Sequence, residues 1–268
     1  MSTALHESVA LTVHAGGAAE ILIDRPERHN AMSMPMYEAL LTALERCQAD
    51  LAIRCVMLRG AGGKSFISGT DIAYFKDFHD GQQGIAYEAF VERVIDAVER
   101  IAVPTIAVID GWAVGGGLAL ATACDFRICS TGSRFGAPIA KTLSNTLSSR
   151  NIARLVASLG VPRVKRMLLL ADYLSAEQAE ACGFVHAVVP ADQLQAQAQA
   201  LAEQKKREQA KLDAERQKRE DAAKAADDKR REAQLAADRQ KNLERMMGQA
   251  GATGNANAKG TAQQSSGP

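Results

Sequence analysis

The sequence predicts an α/β fold, a parallel sheet with helical crossovers, on three observations. Short apolar runs such as "RCVMLRG" and "PTIAVIDG" have strand length but no alternation of apolar and polar residues. That pattern marks strands buried on both faces. Segments with helical spacing separate these runs, as βαβ connections require. Finally, "GWAVGGGLAL" sets three glycines between two apolar runs, where a strand passes into a helix.

The elements follow in order. "AEILIDRP" is an apolar run stopped by proline, which cannot continue a strand ladder. "MYEALLTALERCQAD" places Tyr37, Leu40, Leu41 and Leu44 on one helical stripe. "RCVMLRG" is a strand and "AYEAFVERVIDAVERI" a helix. "PTIAVIDG" is a buried strand, "GGLALATAC" a short apolar helix and "DFRICS" a further strand. In "AKTLSNTLSSRN", Ser and Asn are suited to cap a helix beginning near Leu147. His186 falls in the strand "GFVHAVVP", where packing is the expected role, and Asp125 reads as structural.

Composition breaks near Gln204. Residues 204–247 are almost all Ala, Lys, Arg, Glu, Asp and Gln, with large apolar residues nearly absent between Leu212 and Leu235. Propensity and i,i+4 pairs such as Glu215 with Arg219 favour helix. There is neither an amphipathic stripe nor a coiled-coil seam, so the expectation is an extended, solvated helix. Residues 248–268, rich in Gly, Ala, Asn and Ser, are expected to be disordered. The expected division is thus 1–203, 204–247 and 248–268.

Bulk properties exclude several roles. A formal charge of +1 gives no electrostatic case for nucleic acid or an anionic membrane. No apolar stretch has the length of a membrane span. The five cysteines have no C-x-x-C spacing, and no His/Cys cluster suits a metal. Reduced thiols and an N-terminus without a signal-peptide pattern give a cytoplasmic expectation.

The glycines admit three readings. Glycine at a helix start lets an oxygen approach unpaired N–H groups, which suits either a bound anion or a developing oxyanion. It also permits close packing of strand and helix. The dinucleotide fingerprint, the P-loop lysine and the P-loop hydroxyl are absent. A second strand exit, "GKSFISGTDI", sets Gly69 before Thr70 and Asp71. Two such loops on neighbouring parallel strands make a two-point donor site at the strand carboxyl ends.

These residues, taken in order, resemble the crotonase family, the enoyl-CoA hydratase/isomerase superfamily, over residues 9–190. "LIDRPERHNAMS" resembles its first strand and Asn-Ala turn, and "KSFISGTDI" its Phe-x-Ala-Gly-x-Asp loop. "PTIAVIDGWAVGGGLALATACDFRICS" resembles its glycine-triplet helix and Cys-Asp strand. "RFGAPIAKTL" and "AEQAEACGFVHAVVP" resemble two later elements. The resemblance implies a ββα spiral that binds an acyl-CoA thioester, with coenzyme A carried only as part of the substrate and no metal. It implies that backbone N–H groups of Thr70 and Gly116 hold the thioester oxygen. Ala31, Ser68, Thr70, Asp71, Ile72, Ala73 and Gly116 would line the acyl-CoA groove. Arg28 and His29 are candidate contacts for CoA phosphates, or simply solvated charge at a turn.

The resemblance is incomplete where hydratases carry acids. The two glutamate positions hold Ala119 and Ile139, and a third acidic position found in some relatives holds Leu147. None of these residues can move a proton. Asn145 or Ser144 is the candidate left for a water or polar substituent, or they cap the following helix. Asp71 is expected to fix its own loop. Where the family continues into covering helices, this chain has its charged segment, which resembles the helical linker of TolA, an envelope protein of the Tol–Pal system. That replacement argues for exposed apolar surface on the core and against a well-formed family trimer. The first reading is therefore an acyl-CoA isomerase or lyase that stabilises a thioester enolate without the two glutamates. Other readings are a non-catalytic acyl-CoA binder or inactive core, and an interaction protein acting through its charged helix.

Overall fold

A computed structural model of the chain describes residues 2–143 and 146–257, with side chains described for 2–141 and 146–247. The chain opens with three strands: β1 (Ser2–His6), β2 (Val9–Val13) and β3 (Ala18–Ile23). Helix α1 (Met34–Ala49) follows, started by Ser33, whose side chain accepts from the Met36 N–H, and by a proline in its first turn. Then come β4 (Cys55–Gly60), β5 (Ser65–Ile67) and α2 (Gly81–Glu99). Asp80 and Gln83 form a capping box at the start of α2. The next turns are β6 (Thr105–Ile109), β7 (Trp112–Val114) and α3 (Gly116–Ala123), then β8 (Phe126–Ser130), β9 (Arg134–Gly136) and α4 (Ile139–Leu143). The chain continues through α5 (Ser149–Leu159), α6 (Val161–Leu169), β10 (Leu174–Ser175), α7 (Ala176–Ala181), β11 (Ala187–Val189) and α8 (Leu194–Asn257).

Two sheets result. The larger has the order β1-β2-β3-β4-β6-β8-β11 and the smaller the order β10-β9-β7-β5. From β3 to β11 the large sheet is parallel; β1, β2 and β3 are antiparallel neighbours. Each of β4, β6 and β8 feeds a short strand of the small sheet before the chain enters a helix. Three ββα turns thus stack, the spiral implied by the resemblance.

The continuous apolar runs are explained by burial on both faces. In β4, Val56 and Leu58 join the main core under α1, α2 and α3. Cys55 and Met57 point the other way, into a second cluster with Ile106, Val108 and Ile128. That second face is covered by the start of α8, through Leu194, Ala198 and Ala202, spaced by one helical turn. These residues precede the charged segment that begins near Gln204 and lie within the core expected over 1–203. Exposed apolar side chains mark the end of α6, at Leu169 and Leu170.

The chain divides into two units, Met1–Ala210 and Lys211–Pro268. The helix does not begin at 204, and it continues past Met247 to Asn257; residues 258–268 lie outside the described residues. Within the second unit the side chains of 211–247 are all exposed. The pairing expected of Glu215 and Arg219 occurs one residue on, between Arg216 and Glu220 at 2.9 Å.

Candidate functional site

The two glycine loops leave the small sheet side by side, because β5 and β7 are parallel neighbours with Ile67 paired to Ala113. Gly69 has φ +100°, a conformation that favours glycine. A Cβ at this position would lie 3.4 Å from the Gly116 amide nitrogen. The two loops therefore lie side by side, with room for little more than a side-chain carbon between them at Gly69. Met32 fixes the first loop from the far side, donating to the Gly69 carbonyl at 2.8 Å and accepting from the Asp71 N–H at 2.9 Å.

The triplet has three separate reasons. Gly115 has φ +55° and makes the reversal into α3. A Cβ on Gly117 would fall 1.9 Å from the Ile67 carbonyl oxygen, so close strand–helix packing requires glycine there. A Cβ on Gly116 would sit 3.0 Å from the Tyr37 hydroxyl. Gly116 opens α3, and Thr70 lies between the two bonds that Met32 makes. Among the described residues, neither N–H is taken by a backbone carbonyl.

Thr70 is held by two tyrosines that sequence reasoning did not assign to the site. The Tyr37 hydroxyl lies 3.0 Å from Thr70 Oγ1, and the Tyr87 hydroxyl bonds the same atom. Tyr37 lies on the apolar stripe of α1 and is completely buried. Burial pushes the Tyr37 phenol far above its ordinary range and the Tyr87 phenol up to about 12. Both therefore remain neutral near pH 7.

Both loops open onto one cavity of about 140 Å³. Ser68, Thr70, Ile72 and Gly116 line it; Ile139 and Leu147 add apolar wall. Asn151 also lines it, with its Oδ1 accepting from Arg154 at 2.9 Å. Among the described residues, Glu88, from the middle of α2, is its one acidic lining residue. Burial first, and then the charge of Glu92, push Glu88 above the usual carboxylate range. An isolated glutamate on a helix carries no sequence signal of this placement.

The remaining predicted site residues lie outside this lining. Arg28 and His29 are exposed at the turn before Asn30; His29 borders a separate groove with Lys64 and Trp112. Ala31 is half-buried, and its carbonyl accepts from Arg25. Asp71 fixes its own loop as expected, accepting from the Ala73 N–H at 3.1 Å, and it also pairs with Arg25 at 3.0 Å. The Ala73 N–H bond, with Arg25 beside it, holds the Asp71 carboxyl below its ordinary range. Asn145, like Ser144, falls outside the described residues. The helix expected near Leu147 is capped by Ser148, which accepts from the Asn151 N–H at 3.2 Å.

Other candidates resolve into structure. Asp125 accepts from the Thr105 N–H and hydroxyl at 2.8 and 2.7 Å. His186 lies just before β11 rather than inside a strand, exposed, with its ring against Phe126. All five cysteines are free, and four are buried. Burial pushes the Cys47 thiol up to about 11 and those of Cys55, Cys124 and Cys129 up to about 12, so none is primed as a nucleophile. Among the described residues no group of three or more His, Cys, Asp or Glu could hold a metal ion. Among them also, no helix is long and apolar enough to cross a membrane.

Comparison with known proteins places the chain among relatives of one family. A family model described as enoyl-CoA hydratase/isomerase matches residues 14–255, further along the chain than the sequence resemblance reached. A crotonyl-CoA hydratase of Syntrophomonas wolfei is 31% identical over 176 residues, covering 66% of this chain and 67% of the relative. A short-chain-enoyl-CoA hydratase of Clostridium acetobutylicum is 30% identical, covering 70% and 71%. Among solved structures, an "enoyl-CoA hydratase/ carnithine racemase" from Magnetospirillum magneticum superposes with a TM-score of 0.71 at 32% identity, covering 78% of this chain and 81% of that one.

Proposed function

The chain belongs to the enoyl-CoA hydratase/isomerase family, and from that premise we propose that its cavity binds an acyl-CoA thioester and stabilises the enolate formed from it. The thioester oxygen accepts from the N–H groups of Thr70 and Gly116. As the α-carbon loses a proton, charge builds on that oxygen, and donors fixed in advance hold the charged form more strongly than the neutral one. The observation that carries this reading is that a side-chain carbon at Gly69 would reach within 3.4 Å of the Gly116 amide nitrogen, so the two loops lie side by side facing one cavity. Coenzyme A enters as part of the substrate, and the exposed Arg28 and His29 suit its phosphates. A cytoplasmic setting belongs to the same proposal, supported by five free thiols.

The reaction class follows from what stands at the two glutamate positions of the resemblance. Ala119 is buried in α3, and Ile139 contributes apolar wall. Water activation by two carboxylates at these positions is therefore unavailable, which leaves isomerisation or another lyase step. The same apolar wall favours one second reading, an acyl-CoA binder without turnover. A panel of enoyl- and acyl-CoAs assayed for turnover, alongside a CoA-thioester binding titration, separates the two. Turnover supports the enzyme, saturable binding without turnover supports the binder, and absence of thioester binding overturns both readings.

A further inference from the structure

One acidic side chain of the cavity has no part in the oxyanion chemistry. Glu88 is carried on α2 directly after Tyr87, whose hydroxyl bonds Thr70. The helical turn that bears Glu88 is thus tied to the loop that bears the first backbone donor. Glu88 borders the same cavity as Thr70 and Gly116. Among the described residues, no side chain pairs with its carboxylate.

Its neighbour one turn on shows the contrast. Glu92 accepts from the Ser148 hydroxyl and faces Arg150 at 3.4 Å and Arg154 at 3.9 Å. Glu92 is thereby committed to α5, while Glu88 faces the cavity. The pair sets one anchored carboxylate beside one that faces the cavity, and the charge of Glu92 adds to burial in holding Glu88 above the usual carboxylate range.

We propose that Glu88 is the acid–base residue of this site, exchanging a proton with the carbon skeleton of the bound thioester. The step rests on the enolate reading above and balances without a co-reactant. For a 3-enoyl thioester, a Glu88 carboxylate oxygen takes the α-proton. The C–H electron pair forms the bond between the α-carbon and the carbonyl carbon, and the carbonyl pair moves to the oxygen held by Thr70 and Gly116. Glu88 then returns the proton to the γ-carbon. The pairs shift back, the product is the conjugated 2-enoyl thioester, and the carboxylate is restored. The site thereby places its proton shuttle on α2, away from Ala119 and Ile139. Groups that bear on its titration are Tyr87 and Glu92 on α2, Tyr37 on α1, and Arg150 and Arg154 on α5 beyond Glu92.

The test uses the full chain with 3-hexenoyl-CoA in deuterated water, following conjugation by absorbance and label uptake by NMR. Glu88→Gln, of equal shape, should lower kcat by roughly two to four decades, the usual contribution of a positioned acid or base, with thioester affinity unchanged. Glu88→Asp should recover part of the rate. The wild-type rate should rise with pH through an inflection above the ordinary carboxylate range, and the residual Glu88→Gln rate should lack it. Glu88→Gln turnover within about threefold of wild type, while Gly116→Pro is inactive, overturns Glu88 and leaves the enolate reading intact. Thioester binding without conjugation or label uptake by wild type overturns Glu88 as the shuttle. Absence of thioester binding overturns both.

Discussion

The cavity has two walls built on different principles. One consists of backbone: Gly69, Thr70 and the start of α3, packed so closely that glycine is required at Gly117. The other consists of side chains: Glu88, Ile139 and Leu147, carried on α2, on α4 and just before α5. In the proposed reaction the backbone wall serves any thioester, since it addresses only the oxygen, and the side-chain wall determines which proton moves. A family can thus keep the first wall and change reaction through the second.

The largest expected effect tests the side-chain wall. Wild-type protein should leave the enone absorbance of crotonyl-CoA unchanged, because no carboxylate stands at Ala119 or Ile139. Hydration at a rate typical of enzymes, on the order of 10 per second, would show that another group activates water. Next comes the backbone wall. Gly116→Pro removes the proposed donor and should cost about 3 kcal/mol of transition-state stabilisation, two to three decades in turnover. Proline also brings a Cβ toward the Tyr37 hydroxyl, so Gly116→Ala is the control: it adds the carbon and keeps the N–H. Equal losses in the two variants would assign the effect to crowding rather than to the donor.

A smaller effect is expected behind the backbone wall. Tyr87→Phe removes one of the two hydroxyls that hold Thr70, worth about 1 kcal/mol, or roughly fivefold in kcat/KM. Unchanged kinetics would show that Tyr37 alone is sufficient. The smallest concerns acid. The Asp71 carboxyl is held below its ordinary range by the Ala73 N–H and Arg25. A depressed folded-state value contributes stability above the unfolded-state pKa and loses it as pH falls through the folded value. Acid unfolding of Asp71→Asn should therefore converge with wild type below about pH 4, with wild type more stable above it. Parallel curves across that range would remove Asp71 from the account.

The two walls also differ in how far sequence displays them. The backbone wall was legible because glycine at a strand exit signals a backbone that must be approached. The strands of the large sheet were legible for a related reason: β4 and β6 are apolar on both faces, and each face has its own cluster. The small sheet was not, since its strands are three residues long or shorter and carry no period. Glu88 was equally hidden, because a glutamate on a helix usually faces solvent and only the fold turns this one inward. The start of α8 carries little signal, because its buried face is made by small residues, Ala198 and Ala202, after Leu194. Asn145 falls outside the described residues.

The burial of four of the five thiols turns the chain into its own stopwatch. In native protein a maleimide can reach only Cys182, the one thiol that is not buried. Cys47, Cys55, Cys124 and Cys129 are distributed over α1, β4, the end of α3 and β8, so each samples a different layer of the fold. Labels counted by mass against time would read out which layer opens first, with no engineered probe.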